Sequence, residues 1–71
     1  MKSPTPTLVK FGEKVRAERE KLGLSQEALA TKAGMHRTYI GMIERAEKNI
    51  TLENIDRLAK ALQTPIARLF E

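Results

Sequence analysis

The sequence of 71 residues contains no cysteine, so no disulfide or thiolate metal site can brace the fold, and nothing points to an oxidising compartment. A single histidine without another soft ligand makes a metal site an unfavourable expectation. Apolar runs stop after a few residues, and the opening MKSPTPT has no hydrophobic segment; neither a membrane span nor a signal peptide is expected, and a cytoplasmic location follows. No stretch alternates polar and apolar residues as a strand would. There is also no nucleophile beside a base and no glycine-rich phosphate loop, and the carboxylates lie scattered among Lys and Arg. Enzyme activity and a cofactor are therefore not expected. A chain this short lies near the lower limit for a single apolar core, so without covalent or metal staples the expected brace is a second chain.

The charge present is unevenly spread. Thirteen Lys and Arg stand against nine Asp and Glu, a net +4; residues 1–45 hold nine basic and five acidic side chains, and residues 46–71 hold four of each. A basic part suits phosphate and a neutral part suits protein, although charge alone is equally met by a generic basic surface.

Helical spacing and end signals divide the chain into elements. Residues 1–7, with two prolines, form an expected flexible tail ahead of one domain over 8–71. Thr7 can cap a first helix over 8–22, with Leu8, Phe11, Val15 and Leu22 on one face and Gly23 at its end. Ser25 is the N-cap of a second helix over 26–33, with Leu24 and Leu29 as a hydrophobic staple, and Gly34 ends it. A third helix over 37–45 places Ile40 and Ile43 inward and Arg37, Thr38, Gly41, Met42 and Arg45 outward. Thr51 caps a fourth over 52–62, whose apolar stripe is Leu52, Ile55, Leu58, Ala59 and Leu62. Thr64 and Pro65 open a short last turn carrying Ile66, Leu69 and Phe70. The expected fold is an all-α, compact bundle of five helices.

Two short helices joined by a glycine-containing turn make a helix-turn-helix, whose second helix enters the major groove while the first crosses the backbone. The segments LGLSQEALATKAGMHRTYIGMIERAEKN and TLENIDRLAKALQTPIARLF resemble the phage-repressor-like (Xre, Cro/CI) helix-turn-helix family over about residues 8–70. Within it the resemblance is greatest to restriction-modification controller proteins. It implies a lambda-repressor-like domain that binds double-stranded DNA as a homodimer, at palindromic operators of its own operon, with RNA polymerase as a further partner if it activates. An antitoxin-type or other autorepressor of the same family is the alternative, with little chain left before Glu71 to neutralise a toxin.

The resemblance implies base contacts from Arg37 and Thr38, and their chemistry agrees: Arg can bond guanine O6 and N7, and Thr offers a hydroxyl and a methyl. Gly41, one turn beyond Arg37, would let the backbone approach the groove floor, or is neutral drift; Met42 meets a thymine methyl or solvent. Gln26 matches the family's phosphate clamp at a helix N-terminus. Ser25, Tyr39, Arg45, Lys48 and Asn49 are candidate backbone contacts, with capping alone sufficient for Ser25 and solvation for the others. Arg19 and Glu44 match a partly buried ion pair of the family, and Glu27 a region through which relatives touch the polymerase. His36 stands where Ser, Thr, Asp or Asn would cap better. Ala46 and Gln63 occupy positions where many relatives have Gly, which strains the backbone if φ is positive there. Ile50, Ile66, Leu69 and Phe70 remain as a candidate dimer interface, the competing arrangement being that Leu69 and Phe70 fold back into their own core.

Overall fold

Helix starts in this chain are set by side chains that accept a free backbone amide. In the computed structural model, which describes residues 4–71, α1 spans Pro6–Lys21, α2 Gln26–Ala33, α3 Arg37–Glu44 and α4 Leu52–Ala61. Thr5, Ser25 and Thr51 each accept from the amide three residues on. The first helix thus starts earlier than expected: Thr5 caps it rather than Thr7, because Pro6 needs no amide partner at the first helical position. The expected tail therefore shrinks, and of it residues 1–3 lie outside the described residues.

All four α-helices end alike. After α1 the amide of Leu24 donates to Arg19 O and that of Gly23 to Glu20 O; the same paired bonds recur at Gly34 and Met35, at Ala46 and Glu47, and at Gln63 and Thr64. These are Schellman closures, which require a left-handed residue. Gly23 and Gly34 supply it at φ 70° and 69°, and Ala46 and Gln63 adopt it at 59° and 57°. The strain expected at the last two is present.

The fifth element differs from expectation. Ile66–Phe70 forms a short 3₁₀ helix, so among the described residues the bundle has four α-helices and one 3₁₀ turn rather than five α-helices. Pro65 stays extended ahead of it and no side chain caps it. Thr64 does not act as the cap; its hydroxyl is buried without a partner.

The core joins every element: Val15, Leu29, Ile40, Leu58 and Leu69 are fully enclosed, with Phe11, Ala30, Ile43, Ala59 and Leu62 around them. Two expected core positions are corrected. Leu22 is exposed because α1 ends beside it, and Leu52 keeps the direction of the α4 stripe but lies at its end, 73 % exposed, where none of the described residues covers it. Among the described residues no helix is long and apolar enough to cross a membrane.

Candidate nucleic-acid interface

The turn between α2 and α3 is Gly34, Met35 and His36. Closing α2 at Gly34 turns the chain back at once, and Ala30, almost without exposed surface, lets α3 pack close to α2. His36 then starts α3: its Nδ1 accepts from the Thr38 amide at 3.1 Å, so the imidazole does the capping where Ser, Thr, Asp or Asn is the commoner choice. Ile40 and Ile43 pin one side of α3 to the core, which leaves Arg37, Thr38 and Arg45 on the solvent side. Met42 and Tyr39 are half-buried between the two sides, and Tyr39 Oη accepts from Asn54 Nδ2 at 3.3 Å, tying α3 to α4.

Each arginine on the open side has an acidic neighbour. Arg37 Nη1 lies 3.7 Å from Glu27 Oε2 across the turn. Arg45 donates from Nε and Nη2 to the two carboxylate oxygens of Glu47, both at 3.1 Å. The bond to Glu47 raises the Arg45 pKa above its ordinary value. Gly41, expected on an open face, is instead covered by this arm: a Cβ added there would stand 3.0 Å from Arg45 Nη1. Lys48 and Asn49 follow in the exposed loop.

The orientation of α3 is fixed from behind. Glu44, its last residue, accepts from Arg19 Nε at 2.7 Å, Arg19 Nη2 at 3.0 Å and Gln26 Nε2 at 3.0 Å, while Arg19 Nη1 donates to Leu24 O at 2.8 Å. The Arg19 and Glu44 side chains are only 12 % and 3 % exposed. Hydrogen bonding to Glu44 raises the Arg19 pKa despite the opposing effect of burial. One carboxylate thus ties α1, the start of α2 and the end of α3 together. Gln26 is part of this brace, with its amide turned to Glu44, and Ser25 is engaged as the α2 cap.

Gly12 was not anticipated. A Cβ there would lie 2.5 Å from Ile43 O and 2.8 Å from Glu44 O, so α1 touches the backbone of α3 at that point. A glycine inside a helix costs about 1 kcal/mol relative to alanine, and that cost was the signal available in the sequence. Of the expected interface residues, Leu69 is corrected: it is 0 % exposed within one chain, and cannot face a partner. Phe70 stacks on Phe11 with ring centroids 5.2 Å apart yet stays 43 % exposed; Ile50 and Ile66 are half-buried. Glu27 is exposed in the first turn of α2. Among the described residues no cluster of acidic or His side chains could hold a metal.

The geometry has counterparts in known proteins. Residues 15–69 match the model of the Helix-turn-helix family (HTH_3). The control protein C.SmaI of Serratia marcescens is 53 % identical over 59 residues, covering 83 % of this chain and 70 % of that protein. The crystal structure of the restriction-modification controller protein C.AhdI from Aeromonas hydrophila superposes with a TM-score of 0.87 at 48 % identity, covering 89 % of this chain and 96 % of that one. The P22 c2 repressor, solved in complex with a synthetic operator, superposes with a TM-score of 0.80 at 38 % identity over 86 % of this chain and 92 % of that one. The chain belongs to the helix-turn-helix family of DNA-binding transcription regulators, and it is closely related to restriction-modification controller proteins.

Proposed function

We propose that the protein is a controller of its own restriction-modification operon, binding palindromic operators as a cytoplasmic homodimer. The observation that carries this is the solvent side of α3, where Arg37 and Thr38 stand free of the core while Ile40, Ile43 and the Glu44 brace hold the helix rigid. An α-helix fits the major groove, and Arg37 at its start can bond guanine bidentately with Thr38 beside it. Met42 would follow the groove, and the backbone at Gly41 would approach it only with the Arg45 arm that covers it swung outward toward a phosphate. Ser25, Gln26, Tyr39, Lys48 and Asn49 flank α3 as candidate phosphate contacts, Gln26 doing so by exchanging Glu44 for an anion at the α2 N-terminus.

The dimer would use Ile50, Ile66 and Phe70, joined by Leu52, whose 73 % exposure is the largest of any big apolar side chain described. Such a two-fold pair would set the two α3 helices about 34–36 Å apart, one turn of DNA. Contact with RNA polymerase through Glu27 would make the same dimer an activator where its operator adjoins the promoter.

Selection of bound sites from random duplex DNA tests the proposal. Inverted half-sites with centres one turn apart are expected; a pool with no enriched sequence, or a single unpaired half-site, would overturn it.

A further inference from the structure

Asn54 stands third in α4, where a Glu or Gln would reach back to the amide of the cap residue. Its own backbone amide is taken by the Thr51 cap at 3.2 Å, but its side chain bonds another helix: Nδ2 donates to Tyr39 Oη on α3 at 3.3 Å. Both ends of that bond rest on rigid supports. The Tyr39 ring packs against the core next to the enclosed Ile40, and α4 is seated through Leu58 and Ala59. A phenol has one hydrogen to donate, held in the ring plane on one of two sides of the oxygen. With the amide donating on one side the hydrogen takes the other, and among the described residues no oxygen accepts it. The tie leaves an oriented donor unused on α3, the helix that runs on into the exposed Lys48 and Asn49.

We infer that Asn54 is the positioning residue of the Tyr39 contact, its amide holding the phenol so that the hydroxyl hydrogen is offered outward to a DNA phosphate. This rests on the proposal that Tyr39 flanks α3 as a phosphate contact. The two bonds do not compete: the amide uses a lone pair, the phosphate takes the hydrogen, and each strengthens the other by polarising the hydroxyl. Asn54 itself touches no DNA. The Tyr39 bond to a charged phosphate contributes about tenfold in affinity per half-site. Excluding one of the two hydroxyl directions supplies about twofold of this and polarisation a little less, so Asn54 accounts for about threefold per half-site.

The test measures affinity for a duplex recovered by selection. Tyr39→Phe should lose about tenfold per half-site and Asn54→Ala about threefold, while Asn54→Ala added to Tyr39→Phe should lose nothing further. Asn54→Asp separates positioning from a plain tie between helices. Its carboxylate only accepts, so Tyr39 donates to it: the tie stays, a negative charge in the first turn suits α4, and the melting temperature holds at the wild-type value or above. The hydroxyl hydrogen is now turned inward. Asn54→Asp should therefore lose at least the tenfold or so of Tyr39→Phe, and adding Tyr39→Phe to it should cost nothing more, the charge being common to both proteins. Tyr39 is the only tyrosine, so its Cζ magnetic resonance signal reports the tie in the free protein and should move in Asn54→Ala. An unmoved signal, an Asn54→Ala loss that persists in Tyr39→Phe, or a Tyr39→Phe loss that stays about tenfold within Asn54→Asp would overturn the inference. If Tyr39→Phe binds the duplex as well as wild type does, the Tyr39 contact falls and this inference with it; if Tyr39→Phe loses affinity and Asn54→Ala does not, this inference alone falls.

Discussion

Removal of the Glu44 carboxylate should cost the fold more than any other single polar change. Glu44 accepts three hydrogen bonds, two from Arg19 and one from Gln26, at a side-chain exposure of 3 %. Glu44→Ala would leave a guanidinium that is 12 % exposed with only the Leu24 carbonyl for company. Breaking a buried pair by deleting one partner costs about 3–5 kcal/mol, because the remaining charge stays desolvated. A domain of this size has roughly 4–11 kcal/mol in total at 0.05–0.15 kcal/mol per residue. The loss is therefore a large share, and at about 4–8 °C per kcal/mol the melting temperature should fall by some 12 °C or more. Circular dichroism at 222 nm during a thermal ramp reads it. Glu44→Gln keeps one acceptor and should lie between Ala and wild type. Arg19→Met with Glu44→Leu removes both charges and should recover much of the loss, since no ion is left unpaired. A Glu44→Ala melt within about 2 °C of wild type, where several kcal/mol are expected, would refute the idea that this carboxylate braces the helices.

Gly12→Ala should destabilise by about 1–3 kcal/mol or more, because its methyl would meet the Ile43 and Glu44 carbonyls and push α1 off α3; chemical denaturation would show the lower midpoint. Gln63→Gly should stabilise by up to about 1 kcal/mol in the same assay, as it relieves a left-handed backbone at φ 57° on an exposed residue. Ala46→Gly should gain less, because its buried methyl contributes packing that glycine gives up. DNA affinity should fall steeply with salt, by about 0.9 in the log–log slope for each phosphate contact, and titrations from 50 to 200 mM salt would detect a flat response if no phosphates are held.

Local chemistry explains which parts of the fold were legible in the sequence. Ser25, Thr51, Gly23 and Gly34 each act through one or two neighbouring backbone groups, so their roles follow from position alone. The apolar spacing likewise placed Ile40, Ile43, Leu58 and Leu62 correctly in the core. Ends were harder, because Leu22 and Leu52 follow the helical period yet lie where no other element reaches. Leu69 illustrates the reverse: its sequence neighbours say only that it is apolar, and its enclosure depends on α1 and α4 each packing against the last turn. The ion pair between Arg19 and Glu44 spans 25 residues and came from family resemblance, not from any local pattern. The carboxylates beside Arg37 and Arg45, and the closeness of Gly12 to α3, are tertiary facts with only faint local signals.

The central claim is that α3 of this chain reads DNA bases, and the most direct measurement is the base preference of Arg37→Ala against that of wild type. Each protein would be titrated against the selected operator and every single base-pair variant of one half-site at fixed salt. Arg37→Ala should lose about 1–3 kcal/mol per half-site and relax the preference at one base pair, with the other positions unchanged. An Arg37→Ala protein that keeps the full wild-type preference at every base pair would contradict it.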